Sequence, residues 1–234
     1  MALGKLFMIP CPIAEEKIGT IPGDTLAIIH SLNHFIVERA KTARRFLKLA
    51  AHPTTMQEIE VMELDKNNPT QDLHQFLAPL KKGISIGVIS EAGCPGIADP
   101  GALAVKWCHE NKIEVVPMVG PSSILLALMA SGFSGQQFTF HGYLPVKKPE
   151  LVTTLNNLES QVRKSGASQI FMETPYRNHG LLEITLKSLS PQSKLCIAVD
   201  INSDQEWIVT KTIQQWKSHD FAIHKKPAIF IIGR

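Results

Sequence analysis

The sequence predicts an α/β fold arranged as two lobes, and three observations carry that prediction. Apolar runs of strand length alternate with segments of helical period along the whole chain. The 234 residues are 44% hydrophobic and 19% charged, enough apolar material for one large or two modest cores. From Val115 to Val146 there is no Asp, Glu, Lys or Arg, which marks a buried segment expected to be covered by a lobe on either side. We therefore place the lobes at residues 1–117 and 118–234.

Strands are expected at Leu6 to Ile9, His34 to Glu38, Ile59 to Leu64, Ile84 to Ser90 and Glu114 to Val116. The second half adds Gln137 to Tyr143, Gln169 to Glu173, Lys194 to Asp200, Glu206 to Thr210 and Pro227 to Ile232. Helices fill the gaps. Asp24 reads as the cap of one running to about Leu32, Thr70 starts one toward Lys81, and Asp99 with Pro100 starts one reaching Asn111. Pro121 opens a helix that Gly132 closes, and two more run from about Pro149 to Lys164 and from Pro175 to Leu189. No internal repeat or low-complexity tract is visible.

Composition excludes several classes. The four cysteines, Cys11, Cys94, Cys108 and Cys196, form no CxxC pair and match no histidine spacing, so neither a metal site nor a secreted disulfide framework is expected, and the thiols read as reduced and cytoplasmic. Pro10 and Pro12 interrupt the first apolar run, so no export signal is expected. Prolines and glycines divide the charge-free segment into pieces too short for a membrane span. A net charge of +3 permits a nucleic-acid partner without requiring one. The dinucleotide-binding, P-loop, serine-hydrolase and zincin motifs are missing.

The densest chemical signal is Ser90-Glu91-Ala92-Gly93-Cys94-Pro95-Gly96-Ile97-Ala98-Asp99-Pro100-Gly101. It follows an apolar strand and precedes a helix, the place where open α/β sheets bind ligands. Glycine lets the backbone approach a ligand while proline fixes its path. An ordinary strand-to-helix turn has the same composition. Asp99 reads better as a helix cap than as a catalytic acid, whereas Glu91 has no such local role and is a candidate base. Gly120-Pro121-Ser122-Ser123 opens an apolar helix whose first N–H groups and hydroxyls suit a carboxylate or phosphate, or else satisfy only their own first turn. Met172-Glu173-Thr174-Pro175-Tyr176-Arg177 brings an acid, a ring and a guanidinium to one strand end. Lys41, Arg44, Arg45 and Lys48 share a helical face, either a phosphate-binding stripe or a solvated surface. His30 and His34 are weak metal candidates because they straddle a helix end and a strand.

Taken in order, these segments resemble the tetrapyrrole methylase superfamily of S-adenosylmethionine-dependent methyltransferases. The elements are Gly4 to Ile13, Ser90 to Pro95 with Asp99-Pro100-Gly101, Val115-Val116-Pro117 with Gly120-Pro121-Ser122, Gly142 to Pro145, and Glu173 to Arg177. Their order is that of the small-subunit ribosomal RNA (cytidine-2'-O)-methyltransferase branch. The resemblance implies two α/β lobes with mixed sheets, S-adenosylmethionine in the cleft between them, and a homodimer. It assigns cofactor contacts to Pro10, Cys11, Ser90, Ala92, Gly93, Cys94, Ile97, Ala98, Ser122 and Ser123, and from the second lobe to Tyr143, Met172, Pro227 and Ala228. Methyl transfer is an in-line displacement that depends mainly on positioning, with Glu91, and Glu173 behind it, as the expected base for a ribose hydroxyl. Lys41, Arg44, Arg45 and Arg177 are the expected RNA contacts.

The chain departs from the branch pattern mostly on the acceptor side. Ala14-Glu15-Glu16 stands where relatives carry Gly-Asn, Arg39-Ala40-Lys41 where they carry Asp-Thr-Arg, and Glu91 and Cys94 where Asp and Thr are usual. Asp200 to Ser203 replaces an Arg-Glu-Leu-Thr type of sequence. A tetrapyrrole or other non-RNA acceptor, or a cofactor-binding RNA-associated protein without turnover, are therefore the competing readings.

Overall fold

A computed structural model describes residues 2–64, 73–98, 101–218 and 223–234. The chain divides into two compact units, Met1–Ser122 and Ser123–Arg234. The first unit ends a few residues beyond 117, because the intervening loop is tied to it. The Met118 N–H donates to the Met8 carbonyl at 2.9 Å, and Thr25 Oγ1 donates to the Val119 carbonyl at 2.8 Å.

The first unit is a five-stranded sheet in the order β3-β2-β4-β1-β5, where β1 is Leu6–Ile9, β2 His34–Val37, β3 Glu60–Glu63, β4 Ile86–Ile89 and β5 Val115–Pro117. All four of its pairings are parallel, whereas the resemblance implied mixed sheets. Alternating side chains feed two cores. Ile9, Phe35, Val37 and Ile89 pack with Ile29 of α1 (Gly23–Ser31) and with Phe46 and Leu47 of α2 (Ala40–Leu49). Leu6, Met8, Ile36, Ile86 and Val88 pack on the other face with Leu77 of α3 (Leu73–Leu77) and with Ala104, Trp107 and Cys108 of α4 (Ala102–Glu110). The chain thus winds over one face after β1 and over the other after β4. These adjacent strands form the topological switch point, where such sheets bind ligands beyond their carboxyl ends.

The second unit is a mixed sheet in the order β6-β7-β10-β8-β9: β6 Phe138–Tyr143, β7 Ser168–Met172, β8 Lys194–Val199, β9 Trp207–Thr212 and β10 Ala228–Gly233. The β6 and β7 strands are parallel, and the remaining pairs are antiparallel. One face is covered by α6 (Lys148–Ser165), α7 (Asn178–Ser188) and α8 (Ile213–Lys217) through Leu155, Leu182, Ile213 and Trp216. The helix α5 (Ser123–Ser131) packs against β8, β9 and β10, and Thr210 Oγ1 donates to the Ser131 carbonyl at 2.7 Å.

All ten expected strands form, with shifts at their ends, and several helix starts move. The helix expected from Asp24 begins at Gly23 with Pro22 as its N-cap, so Asp24 lies in the first turn. The expected helix toward Lys81 is α3 followed by a 3₁₀ turn at Ala78–Lys82, because Pro79 has no N–H to continue an α-helix. Its expected start at Thr70 lies outside the described residues, as do Asp99 and Pro100. Gly101 occupies the N-cap of α4 without a side-chain cap. The turn at Thr174 to Arg177 delays α7 to Asn178. Within the charge-free segment Val119, Leu125 and Met129 are exposed, so that segment is not wholly covered as expected. Among the described residues no helix is long and apolar enough to cross a membrane.

Candidate functional site

Three segments converge beyond the carboxyl ends of β1, β4 and β5. Cys11, just after β1, pairs with Gly93 as an isolated antiparallel bridge. The Cys11 N–H donates to the Gly93 carbonyl at 2.9 Å, and the Gly93 N–H donates back at 3.1 Å. Ser90 Oγ, buried at the end of β4, donates to the same Gly93 carbonyl at 2.7 Å. From there the loop turns through three left-handed positions, Gly93 at φ +70°, Gly96 at +81° and Ala98 at +59°. Glycine adopts this conformation freely and alanine does so at a cost, so strain is stored at Ala98.

The third segment is drawn against the first two. A Cβ on Gly120 would lie 2.4 Å from Pro10 Cβ, so only glycine allows this approach. Cys94 Sγ donates to the Pro121 carbonyl at 3.4 Å, and burial raises its thiol pKa above the ordinary range. Its thiol is therefore held in the neutral form at ordinary pH and directed at the Pro121 carbonyl. Ser122 and Ser123 stand at the start of α5, partly exposed, and their hydroxyls have no hydrogen-bond partner among the described residues. They are thus not used up in capping their own helix.

In the glycine loop, Ala92, Ile97 and Ala98 are exposed and Glu91 is half-buried. The Glu91 carboxylate has no hydrogen bond or ion pair among the described residues. Glu173 differs. Its side chain is 3% exposed and Oε2 lies 2.6 Å from Arg177 Nη2, while Oε1 accepts the Thr174 N–H at 2.7 Å. With both oxygens engaged, Glu173 holds Arg177 and the turn.

At one end of the second sheet lie Tyr143, closing β6, Met172, closing β7, and Pro227 and Ala228, entering β10. Tyr143 and Pro227 are exposed, Met172 is partly exposed and Ala228 is buried. The same end holds the ion pair of Lys226 with Asp200 at 2.9 Å.

The basic helix α2 forms, but only part of its stripe is available. Arg44 Nη1 donates to the Met56 carbonyl, holding the loop after α2, and Arg45 pairs with Glu15. Lys41 and Lys48 are exposed and have no partner among the described residues. His30 and His34 do not share a site: His30 Nε2 bonds the Ala50 carbonyl at 2.6 Å, whereas His34 lies 3.3 Å from Glu60.

One residue that shapes this region, Thr25, and one contact of a residue already singled out, Gly120, lay outside what residue spacing shows. Gly120 is visible as a glycine before Pro121, but its contact with Pro10 is tertiary. Thr25 carries no sequence signal for its bond to Val119.

No protein-family profile matches the chain. Among curated proteins, the ribosomal RNA small subunit methyltransferase I of Vibrio cholerae is 30% identical over 203 residues, covering 87% of this chain and 67% of that protein. The protein of the same name from Buchnera aphidicola of Schizaphis graminum is 29% identical over 232 residues, covering 98% of this chain and 78% of its relative. Among solved structures, diphthine synthase superposes with a TM-score of 0.71 at 11% identity, covering 98% of this chain and 90% of that one. That likeness concerns the fold alone.

Proposed function

Because the chain belongs to the ribosomal RNA small subunit methyltransferase I family, we propose that it transfers a methyl group from S-adenosylmethionine to a ribose 2'-hydroxyl of ribosomal RNA. The observation that carries the donor site is the convergence of the three segments at the β1/β4 switch point, fixed by the Cys11–Gly93 bridge and by the approach of Gly120 to Pro10.

The residues there fit such a donor. From Ala92 to Ala98 the loop carries no charged side chain, which suits an adenosine, and the hydroxyls of Ser122 and Ser123 at the start of α5, without a partner among the described residues, suit a carboxylate. When bound, the donor supplies an activated methyl group on a sulfonium. To the donor we assign Pro10, Cys11 and Ser90 at the strand ends and Ala92, Gly93, Cys94, Ile97 and Ala98 in the loop. For Tyr143, Met172, Pro227 and Ala228 the support is the resemblance and their common place at one end of the second sheet.

Glu91 is the residue we assign to accept the hydroxyl proton, since its carboxylate has no hydrogen bond or ion pair among the described residues. Catalysis otherwise rests on holding the acceptor in line with the methyl group. Lys41 and Lys48 supply the cations of α2 left for phosphates, and Arg177 supplies one on the second unit. An RNA acceptor carries with it a cytoplasmic place of action. The exposed Leu125 and Met129, one turn apart on α5, suit the homodimer that the resemblance implies.

The test is transfer of radiolabelled methyl from S-adenosylmethionine to small-subunit ribosomal RNA lacking its native methylation. The label is expected in an alkali-resistant dinucleotide, the mark of a methylated 2'-hydroxyl. Label in the base would reject the ribose acceptor, and no label in RNA would reject the reading.

A further inference from the structure

The second unit carries an exposed aromatic ring framed by cations that the donor site does not explain. Tyr176 is 74% exposed, on the turn between β7 and α7. That turn is rigid: the Arg177 N–H donates to the Thr174 carbonyl at 2.9 Å, and the buried Glu173 holds Thr174 and Arg177 from beneath. The turn is also fastened to the segment entering β10. The Lys225 N–H donates to the Pro175 carbonyl at 3.1 Å, and Asn178 Nδ2 donates to the Lys226 carbonyl at 2.6 Å.

Lys225 sits at φ +61°, a left-handed conformation that a lysine rarely adopts, and its ammonium lies 6.0 Å from the centre of the Tyr176 ring. Arg177 keeps 41% of its side chain exposed while one nitrogen is pinned by Glu173. The acids of this cluster are each paired, Glu173 with Arg177 and Asp200 with Lys226, which leaves Lys225 as the cation beyond those pairs. A ring 74% exposed, with a cation over one face, suits a ligand that is both flat and anionic. An unpaired nucleotide is both, since its base stacks on an aromatic face and its phosphate meets Arg or Lys.

We infer that Tyr176 is a stacking platform for an unpaired base of the RNA acceptor, with Lys225 and Arg177 receiving the flanking phosphates. This inference rests on the RNA reading above and adds how the strand is gripped: by a ring that accepts any base, with sequence discrimination arising elsewhere.

The test measures binding of a fluorescent single-stranded oligoribonucleotide of mixed sequence to the full chain in the presence of S-adenosylhomocysteine, for wild type, Tyr176→Ala, Tyr176→Phe and Lys225→Gln. Thermal unfolding and calorimetric binding of S-adenosylhomocysteine serve as folding controls and are expected to be unchanged. Tyr176→Ala is expected to weaken RNA binding by about tenfold or more, while Tyr176→Phe, which keeps the ring, stays within about twofold of wild type. Lys225→Gln is expected to reduce the slope of log affinity against log salt by about 0.7. Wild-type affinity in Tyr176→Ala, or equal losses in the Ala and Phe variants, would overturn the platform while leaving the RNA reading intact. A wild-type chain that binds S-adenosylhomocysteine but no RNA would overturn both.

Discussion

Cys11 and Gly93 exchange both of their backbone hydrogen bonds, and this one bridge locks the end of β1 to the glycine loop that follows β4. It sits at the switch point of a parallel sheet, so the two loops are held as one surface before any ligand arrives. Preorganisation of this kind lowers the ordering cost of binding.

Gly120 completes that surface by lying against Pro10. Gly120→Ala places a methyl group 2.4 Å from Pro10 Cβ and forces the loops apart. Overpacking of this sort costs about 1–3 kcal/mol, so a lower unfolding temperature is expected together with weaker S-adenosylhomocysteine binding. An unchanged melting curve and affinity would show that the contact does not shape the site.

Glu91 and Glu173 are separated by their surroundings, and the same substitution tells them apart. Glu91→Gln is expected to abolish methyl transfer while leaving fold and donor binding intact. Glu173→Gln removes a charge-assisted contact to Arg177, with an expected cost of about 1–2 kcal/mol in stability and a raised KM for RNA. Full activity in Glu91→Gln would remove it as the base.

The cysteines report on the same region through their titration. Burial raises the thiols of Cys94 and Cys108, the latter up to about 11, so each holds less thiolate at neutral pH than an ordinary thiol. Alkylation of Cys94 should therefore be slow at neutral pH and rise as pH approaches its raised value, with S-adenosylhomocysteine protecting it. Cys108, on the buried face of α4, should stay unlabelled until the chain unfolds. Rapid labelling of Cys94 at neutral pH, mapped by mass spectrometry, would contradict this.

On α2 the stripe divides by partner. Lys41→Glu with Lys48→Glu is expected to weaken RNA binding and flatten its salt dependence, since both side chains are exposed. Arg44→Ala is expected to cost about 1 kcal/mol of stability through its lost bond to the Met56 carbonyl. Unaltered RNA methylation in the double charge reversal would make the stripe a solvated surface.

The strands were legible because buried strands are written as short apolar runs, as in Ile86–Ile89 and Ala228–Gly233. Helix starts were less so. The capping box of α8, Thr212 with Gln215, was present in the sequence but too short a helix follows for periodicity to reveal it. At the site, the glycine loop and the serines were visible as composition. The engagement of Glu173 by Arg177 and Thr174, and of Arg44 by the Met56 carbonyl, depends on where the chain returns in space, which residue spacing does not encode. Lys225, which adopts the left-handed conformation without being glycine, carried no signal at all.

Calorimetric titration of the full chain with S-adenosylhomocysteine tests the methyl-donor site proposed at the β1/β4 switch point. One site per chain is expected, with affinity reduced in Ser122→Ala and unchanged in Tyr176→Ala. No heat of binding at millimolar ligand, or binding that Ser122→Ala and Gly120→Ala leave untouched, would contradict the placement of the donor.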